Sequence, residues 1–151
     1  LSLKWKDVYN YSENRFRRHI FLKEQKTGKE NMIAMNPSVI TVLKQEMDYI
    51  SLNGVFPLRE HYLFSGNRSK NMPLSRYQAY RIIREAAIYT GMDEHVSCHS
   101  LRKTFGYYAW KQGVPPAVLM SIYNHSSYQV TKRYLCIEQE DRDEVFMKIN
   151  I

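Results

Sequence analysis

Chain-breaking residues divide the second half of this sequence into segments of helical length. Gly91 and Gly113 each follow a run whose apolar residues recur every three or four positions, and glycine commonly ends a helix because it accepts a left-handed backbone. Pro115 and Pro116 come directly after the second glycine, and proline is favoured at the first position of a helix. The pattern therefore predicts a series of short helices. In the one after the prolines, three apolar residues are predicted to face inward: Val118, Leu119 and Ile122.

The first half of the chain has a different pattern. Residues 1–35 alternate between apolar and polar character, which predicts short strands, and Gly28 supplies the positive φ that a hairpin turn requires. Pro37–Ser38 predicts the start of a helix that Ser38 caps, and Ser75 predicts a second capped start. Residues 53–73 are predicted to form a loop. The predicted fold class is α+β and mainly helical, with a small antiparallel β-sheet near the N-terminus.

Composition narrows the class of protein. The chain has 151 residues, which suits one compact domain, and its 22 Lys+Arg against 15 Asp+Glu give a formal charge of +7 that favours a polyanionic partner. Cys98 and Cys136 form no CxxC pair, so we expect neither a zinc site nor a disulfide framework, and a reduced, cytoplasmic compartment fits. No apolar run approaches the roughly 20 residues that span a bilayer, and we expect no signal peptide.

Two linked motifs near the C-terminus carry the functional signal. The first reads H-S-L-R-K-T-F from His99, and the second reads N-H-S-S from Asn124, followed by T-K-R-Y-L from Thr131. Histidine, arginine and tyrosine are the residue types that can hold a phosphate and attack it. In order and spacing the two motifs resemble those of the tyrosine recombinases, also called phage-type integrases, which read H-x-L-R-H/K-T-F and L-G-H-S-S-x-x-x-T-x-x-Y-L.

The resemblance and the spacing from His125 favour Tyr134 as the nucleophile, and the nearest rivals, Tyr123 and Tyr128, fit the motif poorly. A phenol has a pKa of about 10, so it needs cationic groups close by. Breaking a phosphodiester also needs positive donors around the phosphate oxygens. Arg102 is expected to grip two of these oxygens with its planar guanidinium.

The two histidines of the motifs are expected to support this chemistry. His99 lies three residues before Arg102, so both side chains share one helix face, where His99 could bind the phosphate or assist proton transfer. His125 is expected to donate to a phosphate oxygen from near a helix start. The family has glycine where this chain has Asn124, a mild departure because asparagine also accepts a left-handed backbone.

A lysine completes the set that the resemblance implies. In the family, a lysine on the hairpin between two strands reaches into the minor groove and is thought to protonate the leaving 5′ oxygen. The local sequence Q-K-T-G-K matches that hairpin and puts Lys26 at the corresponding position, with Lys23 and Lys29 left open as alternatives.

The resemblance covers nearly all of residues 1–137, which are expected to be a catalytic domain truncated on its N-terminal side. Leu1–Val8 is similar to the family segment that follows a further essential arginine. We therefore expect that arginine ahead of Leu1, and we expect residues 1–151 alone to be inactive. The acidic tail, residues 138–151, is expected to dock either onto a neighbouring subunit or onto its own domain.

The function implied is site-specific DNA recombination, as in integration or excision by a phage or other mobile element, through a 3′-phosphotyrosine intermediate. The partner would be double-stranded DNA, held by a homo-tetramer on paired sites. No metal or cofactor is expected, because the covalent link conserves the energy of the phosphodiester. Three alternatives stay open: a non-catalytic DNA-binding regulator on the same fold, a type IB topoisomerase-like relaxase, and a helical interaction module. The motif histidines, arginine and tyrosine argue against the regulator, which has no need of a nucleophile.

Overall fold

The computed structural model describes residues 1–23, 28–52, 54, 56–66, 69–92, 95–135 and 139–149. The chain forms two compact units, residues 1–78 and 79–151. Among the described residues, no helix is long and apolar enough to cross a membrane.

The first unit combines strands and helices. It begins with α1 (Trp5–Val8), followed by strands β1 (Tyr9–Asn10), β2 (Arg15–Phe16), β3 (His19–Lys23) and β4 (Glu30–Ala34), then α2 (Pro37–Leu52), β5 (Ser65–Gly66) and β6 (Ser69–Pro73). The strands pair as three antiparallel hairpins: β1 with β2, β3 with β4, and β5 with β6. The mainly helical α+β class with small antiparallel sheets is therefore confirmed.

The hairpin of β3 and β4 has a regular register. His19 pairs with Ala34 at one end and Lys23 with Glu30 at the other. Gly28 has φ +69°, as the sequence predicted for this turn. Beside the hairpin lies an apolar cluster of buried side chains, which consists of Trp5, Val8, Tyr9, Met35 and Met47.

Three details of this unit differ from the sequence-based expectation. The N-terminus is not wholly extended, because residues 5–8 form a helical turn that Asp7 closes by accepting a hydrogen bond from the backbone N–H of Lys4 at 2.8 Å. The cap of α2 is Asn36, whose Oδ1 accepts from the Val39 N–H at 2.9 Å, and Ser38 lies inside the helix. Residues 53–73 are not only loop, since they contain the β5–β6 hairpin.

The remaining elements of the described chain are helices. They are α3 (Arg76–Tyr89), α4 (Cys98–Lys111), α5 (Pro116–Tyr123), α6 (Tyr128–Leu135) and α7 (Gln139–Lys148). The predicted cap of α3 is confirmed, because Ser75 Oγ accepts from the Gln78 N–H at 3.1 Å and Gln78 Oε1 accepts from the Ser75 N–H at 3.0 Å. Gly91 and Gly113 both have positive φ, as helix-ending glycines do.

The core of the second unit forms where α4, α5 and α6 meet. Leu119, Tyr123 and Leu135 are buried together, and Trp110 and Tyr134 pack against them. The predicted inward face of α5 is therefore partly wrong. Val118 and Ile122 are 46% and 43% exposed, whereas Tyr123 is only 4% exposed and occupies the interior beside Leu119.

Candidate active site

The first turns of α4 carry the first motif. Ser97 is the N-cap of the helix. Its backbone N–H donates to Ser100 Oγ at 3.1 Å. His99 and Arg102 follow three residues apart on the exposed surface of α4. Residues at this spacing are neighbours on a helix, so the fold presents both side chains on one face as the sequence predicted.

The junction between α5 and α6 carries the second motif. Asn124 ends α5 with φ 59° and ψ 34°, a left-handed conformation. The next N–H, that of His125, donates to the Met120 carbonyl at 3.0 Å, which ties the turn back to the helix. The asparagine thus adopts the conformation for which glycine is favoured, and the departure from the family motif preserves the turn.

Tyr134 contacts both motif histidines. Its ring centroid is 5.0 Å from that of His99, edge to face at 75°, and 4.6 Å from that of His125 at 60°. The phenol sits on α6, half-buried, next to the fully buried Leu135. A histidine from α4 and a histidine from the turn after α5 therefore meet the tyrosine of α6.

His125 is held by a buried hydroxyl. Its Nδ1 lies 3.0 Å from Thr131 Oγ1, and Thr131 is completely buried. When the threonine donates this hydrogen bond, the imidazole proton resides on Nε2, which can then donate to a phosphate oxygen. Burial, followed by the positive charge of Arg102, lowers the pKa of His125, so the neutral imidazole predominates near pH 7.

Arg102 is attached to the same cluster through Tyr123. One Nη of Arg102 donates to the Tyr123 carbonyl at 3.0 Å, and the Tyr123 hydroxyl donates back to the Arg102 carbonyl at 2.8 Å. The guanidinium carbon lies 4.6 Å from the centre of the Tyr123 ring. Burial is the main cause that raises the pKa of Tyr123, so this phenol keeps its proton at neutral pH.

The Tyr123 ring completes the aromatic cluster. Its centroid is 5.1 Å from that of His125 and 5.4 Å from that of Tyr134. The structure thus brings together four of the five residues predicted from sequence, namely His99, Arg102, His125 and Tyr134. The fifth, Lys26, lies outside the described residues.

Sequence reasoning missed two members of this cluster. Tyr123 appeared only as a weak rival for the nucleophile, and Thr131 only as a spacing marker in the second motif. The signal for Thr131 was available, because a threonine three residues before Tyr134 occupies the same helix face. Tyr123 could not be found in this way, since it meets Arg102 across 21 residues of chain.

Comparison with known proteins identifies the chain's relatives. A family model described as the phage integrase family matches residues 1–140. The chain belongs to the phage integrase family. The reaction of this family, the tyrosine recombinases, is site-specific DNA recombination.

Individual members of the phage integrase family are similar over most of this chain. The probable integrase/recombinase YoeC of Bacillus subtilis (strain 168) is 38% identical over 141 residues, which cover 93% of this chain and 69% of that protein. The tyrosine recombinase XerD of Chlorobaculum tepidum is 28% identical over 120 residues, which cover 80% of this chain and 39% of that protein.

Solved structures of the family share the fold. The XerA recombinase superposes with a TM-score of 0.74 at 22% identity, over 99% of this chain and 52% of that chain. The XerH site-specific recombinase, in a post-cleavage complex with a palindromic difH substrate, gives a TM-score of 0.74 at 17% identity, over 97% of this chain and 39% of that chain. This chain therefore spans about half or less of these two recombinases.

Proposed function

We propose that this chain contributes the nucleophile and the phosphate-binding side chains of a site-specific DNA recombinase, with Tyr134 as the nucleophile. The observation that carries the proposal is the contact of the Tyr134 ring with both His99 and His125, whose ring centroids are 5.0 and 4.6 Å away. A tyrosine that contacts two imidazoles has groups at hand for accepting its proton and for binding the phosphate that it attacks.

The proposed reaction is a transesterification. The Tyr134 hydroxyl oxygen attacks the scissile phosphorus, the bond from phosphorus to the 5′ oxygen breaks, and a 3′-phosphotyrosine and a free 5′ hydroxyl result. One phosphoester bond forms as one breaks, so the energy of the link is kept for the reverse step with a partner strand. The phenol must lose one proton, and the leaving oxygen must gain one.

The histidines and the arginine have distinct parts in this proposal. His99 is exposed and contacts the Tyr134 ring, which suits it to proton transfer or to a hydrogen bond with the phosphate. His125, with Nδ1 engaged by Thr131, would donate from Nε2. Arg102 would neutralise the charge that grows on the non-bridging oxygens, since only one of the five N–H donors of a guanidinium is needed for the Tyr123 carbonyl.

The leaving 5′ oxygen needs a general acid, and we assign this part to Lys26. The assignment rests on the Q-K-T-G-K sequence and on its place after β3, whose last residue is Lys23. Lys23 and Lys29, each three residues from Lys26, are the competing donors.

The partner in this proposal is double-stranded DNA, bound by a homo-tetramer on paired sites. The net charge of +7 supports a polyanionic partner. In α7, Val145, Phe146 and Met147 are 54%, 78% and 82% exposed, so this helix presents apolar side chains to its surroundings. Docking of α7 onto a neighbouring subunit would bury them. Deletion of residues 139–151 should then reduce assembly on paired sites and leave single-site binding intact.

A nicked DNA substrate tests the proposal. A break just beyond the scissile phosphate lets the short 5′-hydroxyl strand diffuse away, so the covalent intermediate accumulates and migrates as a protein–DNA adduct under denaturing conditions. Adduct formation by the full-length protein supports a cleaving enzyme, whereas binding without any adduct would assign the chain to the non-catalytic regulators. Joining of strands between two separate sites would distinguish a recombinase from a relaxase, which reseals only its own cut.

A further inference from the structure

Tyr123 occupies an unusual place among the residues around the nucleophile. It is 4% exposed, yet its ring touches an exposed arginine, a histidine and the half-buried Tyr134. Hydrophobic packing alone would need only an apolar side chain here. The polar contacts that Tyr123 makes therefore need a separate explanation.

Those contacts all converge on Arg102. The phenol hydroxyl donates to the Arg102 carbonyl at 2.8 Å, the guanidinium donates to the Tyr123 carbonyl at 3.0 Å, and the guanidinium carbon lies 4.6 Å from the ring centre. A long arginine side chain on an exposed helix face normally samples many rotamers. The hydrogen bond to the Tyr123 carbonyl and the ring contact restrict that sampling. The hydroxyl bond to the Arg102 backbone carbonyl fixes the Tyr123 ring against α4, so the guanidinium is held against a fixed ring.

Gly106 explains how the phenol fits. An ideal Cβ at position 106 would lie 2.3 Å from the Tyr123 hydroxyl oxygen, closer than real Cβ atoms come to other heavy atoms, and a tight 3.0 Å from both Cε2 and Cζ. Gly106 is buried in the middle of α4, where glycine is less favourable than alanine. Its place one helical turn after Arg102 leaves a gap at the point where the Tyr123 hydroxyl reaches the Arg102 carbonyl.

We infer that Tyr123 is a positioning residue that holds Arg102 in its phosphate-binding orientation, and that Gly106 is the matching gap that admits the phenol. The inference rests on the proposed function, because it assigns Tyr123 a role in the cleavage that Arg102 is proposed to assist. It concerns the hydroxyl in particular. A phenylalanine would keep the ring, the contact with the guanidinium and most of the packing, and would lose the bond to the Arg102 carbonyl.

Single-turnover cleavage of a nicked substrate by the full-length protein provides the first test. Tyr123→Phe should lower the rate of adduct formation roughly tenfold, the fold-change expected from one well-formed hydrogen bond, and should leave DNA affinity unchanged. In the background of Arg102→Ala the same substitution should not lower the rate further, because the guanidinium that Tyr123 is inferred to position is absent. Tyr89→Phe, at a phenol that is 92% exposed, is the matched control and should keep the wild-type rate.

A neutral substrate separates positioning from mere packing. A methylphosphonate at the scissile position has a methyl group in place of one charged oxygen. Less negative charge then develops in the transition state, so the guanidinium stabilises it less. The Tyr123→Phe defect should shrink on this substrate. A purely structural defect would slow both substrates equally, and that result would overturn the inference.

Gly106 is tested by its interaction with Tyr123. Gly106→Ala should lower both the melting temperature and the cleavage rate when Tyr123 is present. In combination with Tyr123→Leu, alanine should instead raise the melting temperature relative to Tyr123→Leu alone, because the clash is gone and alanine favours the helix. Additive effects of the two substitutions would overturn the pairing.

The cleavage results also distinguish this inference from the proposed function. A wild-type protein that forms no adduct overturns the proposed function, and the inference with it. An active wild type in which Tyr123→Phe cleaves at the normal rate, or slows cleavage equally with and without Arg102, overturns the inference alone.

Discussion

The imidazole of His125 faces the phenol of Tyr134 with ring centroids 4.6 Å apart and an angle of 60° between the ring planes. This pair joins the turn after α5 to the helix α6, and the buried Thr131 fixes the far side of the imidazole. The position of a phosphate relative to the nucleophile would thus depend on His125, whose orientation is fixed by its hydrogen bond with Thr131.

Thr131→Val should therefore impair cleavage more than folding. Valine keeps the shape of the buried side chain and removes the hydroxyl from His125 Nδ1. We expect adduct formation to slow about tenfold and the free energy of unfolding to fall by about 1 kcal/mol, the usual size of one hydrogen bond. Thr41→Val is the matched control, since its hydroxyl bonds the Pro37 carbonyl on an exposed face of α2. Equal rates for the two variants would contradict a role for Thr131.

The lowered pKa of His125 predicts a loss of stability in acid. Because the folded state disfavours the imidazolium, the unfolded chain binds more protons, and the stability contributed by neutral His125 is present above the unfolded pKa of about 6.5. That contribution is lost as the pH falls through the lower folded pKa. The free energy of unfolding, measured with denaturant between pH 7.5 and 5 in steps of about half a unit, should fall less steeply for His125→Gln than for wild type. His19→Gln, at a residue of β3, serves as the control; a His125→Gln decline as steep as wild type would contradict the prediction.

Arg102→Ala should reduce cleavage far more than binding. Removal of one preorganised donor at a developing charge typically costs about 3 kcal/mol, or about a hundredfold in rate. DNA affinity should change little, because many phosphate contacts share it and each is modest. Arg102→Lys should recover only part of the rate. A guanidinium is planar, so it can donate to the Tyr123 carbonyl and stack on the Tyr123 ring at the same time, which an ammonium cannot do. Equal losses of binding and cleavage would make Arg102 an anchor for DNA only.

Lys26→Ala should slow cleavage of a normal 5′ oxygen and leave a 5′-thio substrate unaffected. A sulfur leaving group departs without a proton, so it bypasses the general acid. Lys23→Ala and Lys29→Ala, three residues before and after Lys26 in the sequence, should show no such difference between the two substrates. Equal slowing of both substrates by Lys26→Ala would make this lysine a groove contact, and a difference seen only for Lys29→Ala would move the role there.

Local rules predicted much of this fold. Gly28, Gly91 and Gly113 have the positive φ expected of turn and helix-ending glycines, and Ser75 caps α3. These features depend on residues next to one another in the chain. The β5–β6 hairpin was missed because its strands, residues 65–66 and 69–73, are short and largely polar, so no alternation of apolar residues marks them.

The candidate site was only partly predictable for the same physical reason. His99, Arg102, His125 and Tyr134 stand in two compact motifs, so their types and spacings pointed to one chemistry. The pairing of Arg102 with Tyr123 depends on how α4 packs against α5, which the periodicity of either helix does not specify. Gly106, an apparent helix breaker inside α4, was the one sequence sign that a large side chain approaches there.

The most direct test of the account is to identify the amino acid that carries the DNA in the covalent adduct. Trypsin cuts after Arg133 and Arg142, and the peptide of residues 134–142 contains Tyr134 as its only tyrosine, with no serine or threonine. The rivals Tyr123 and Tyr128 fall together in the peptide of residues 112–132. After nuclease and trypsin digestion of the trapped adduct, mass spectrometry should find the nucleotide on the peptide 134–142, and Tyr134→Phe should give no adduct at undiminished DNA affinity. A nucleotide on the peptide 112–132, or an adduct that persists in Tyr134→Phe, would contradict the assignment of Tyr134 as the nucleophile.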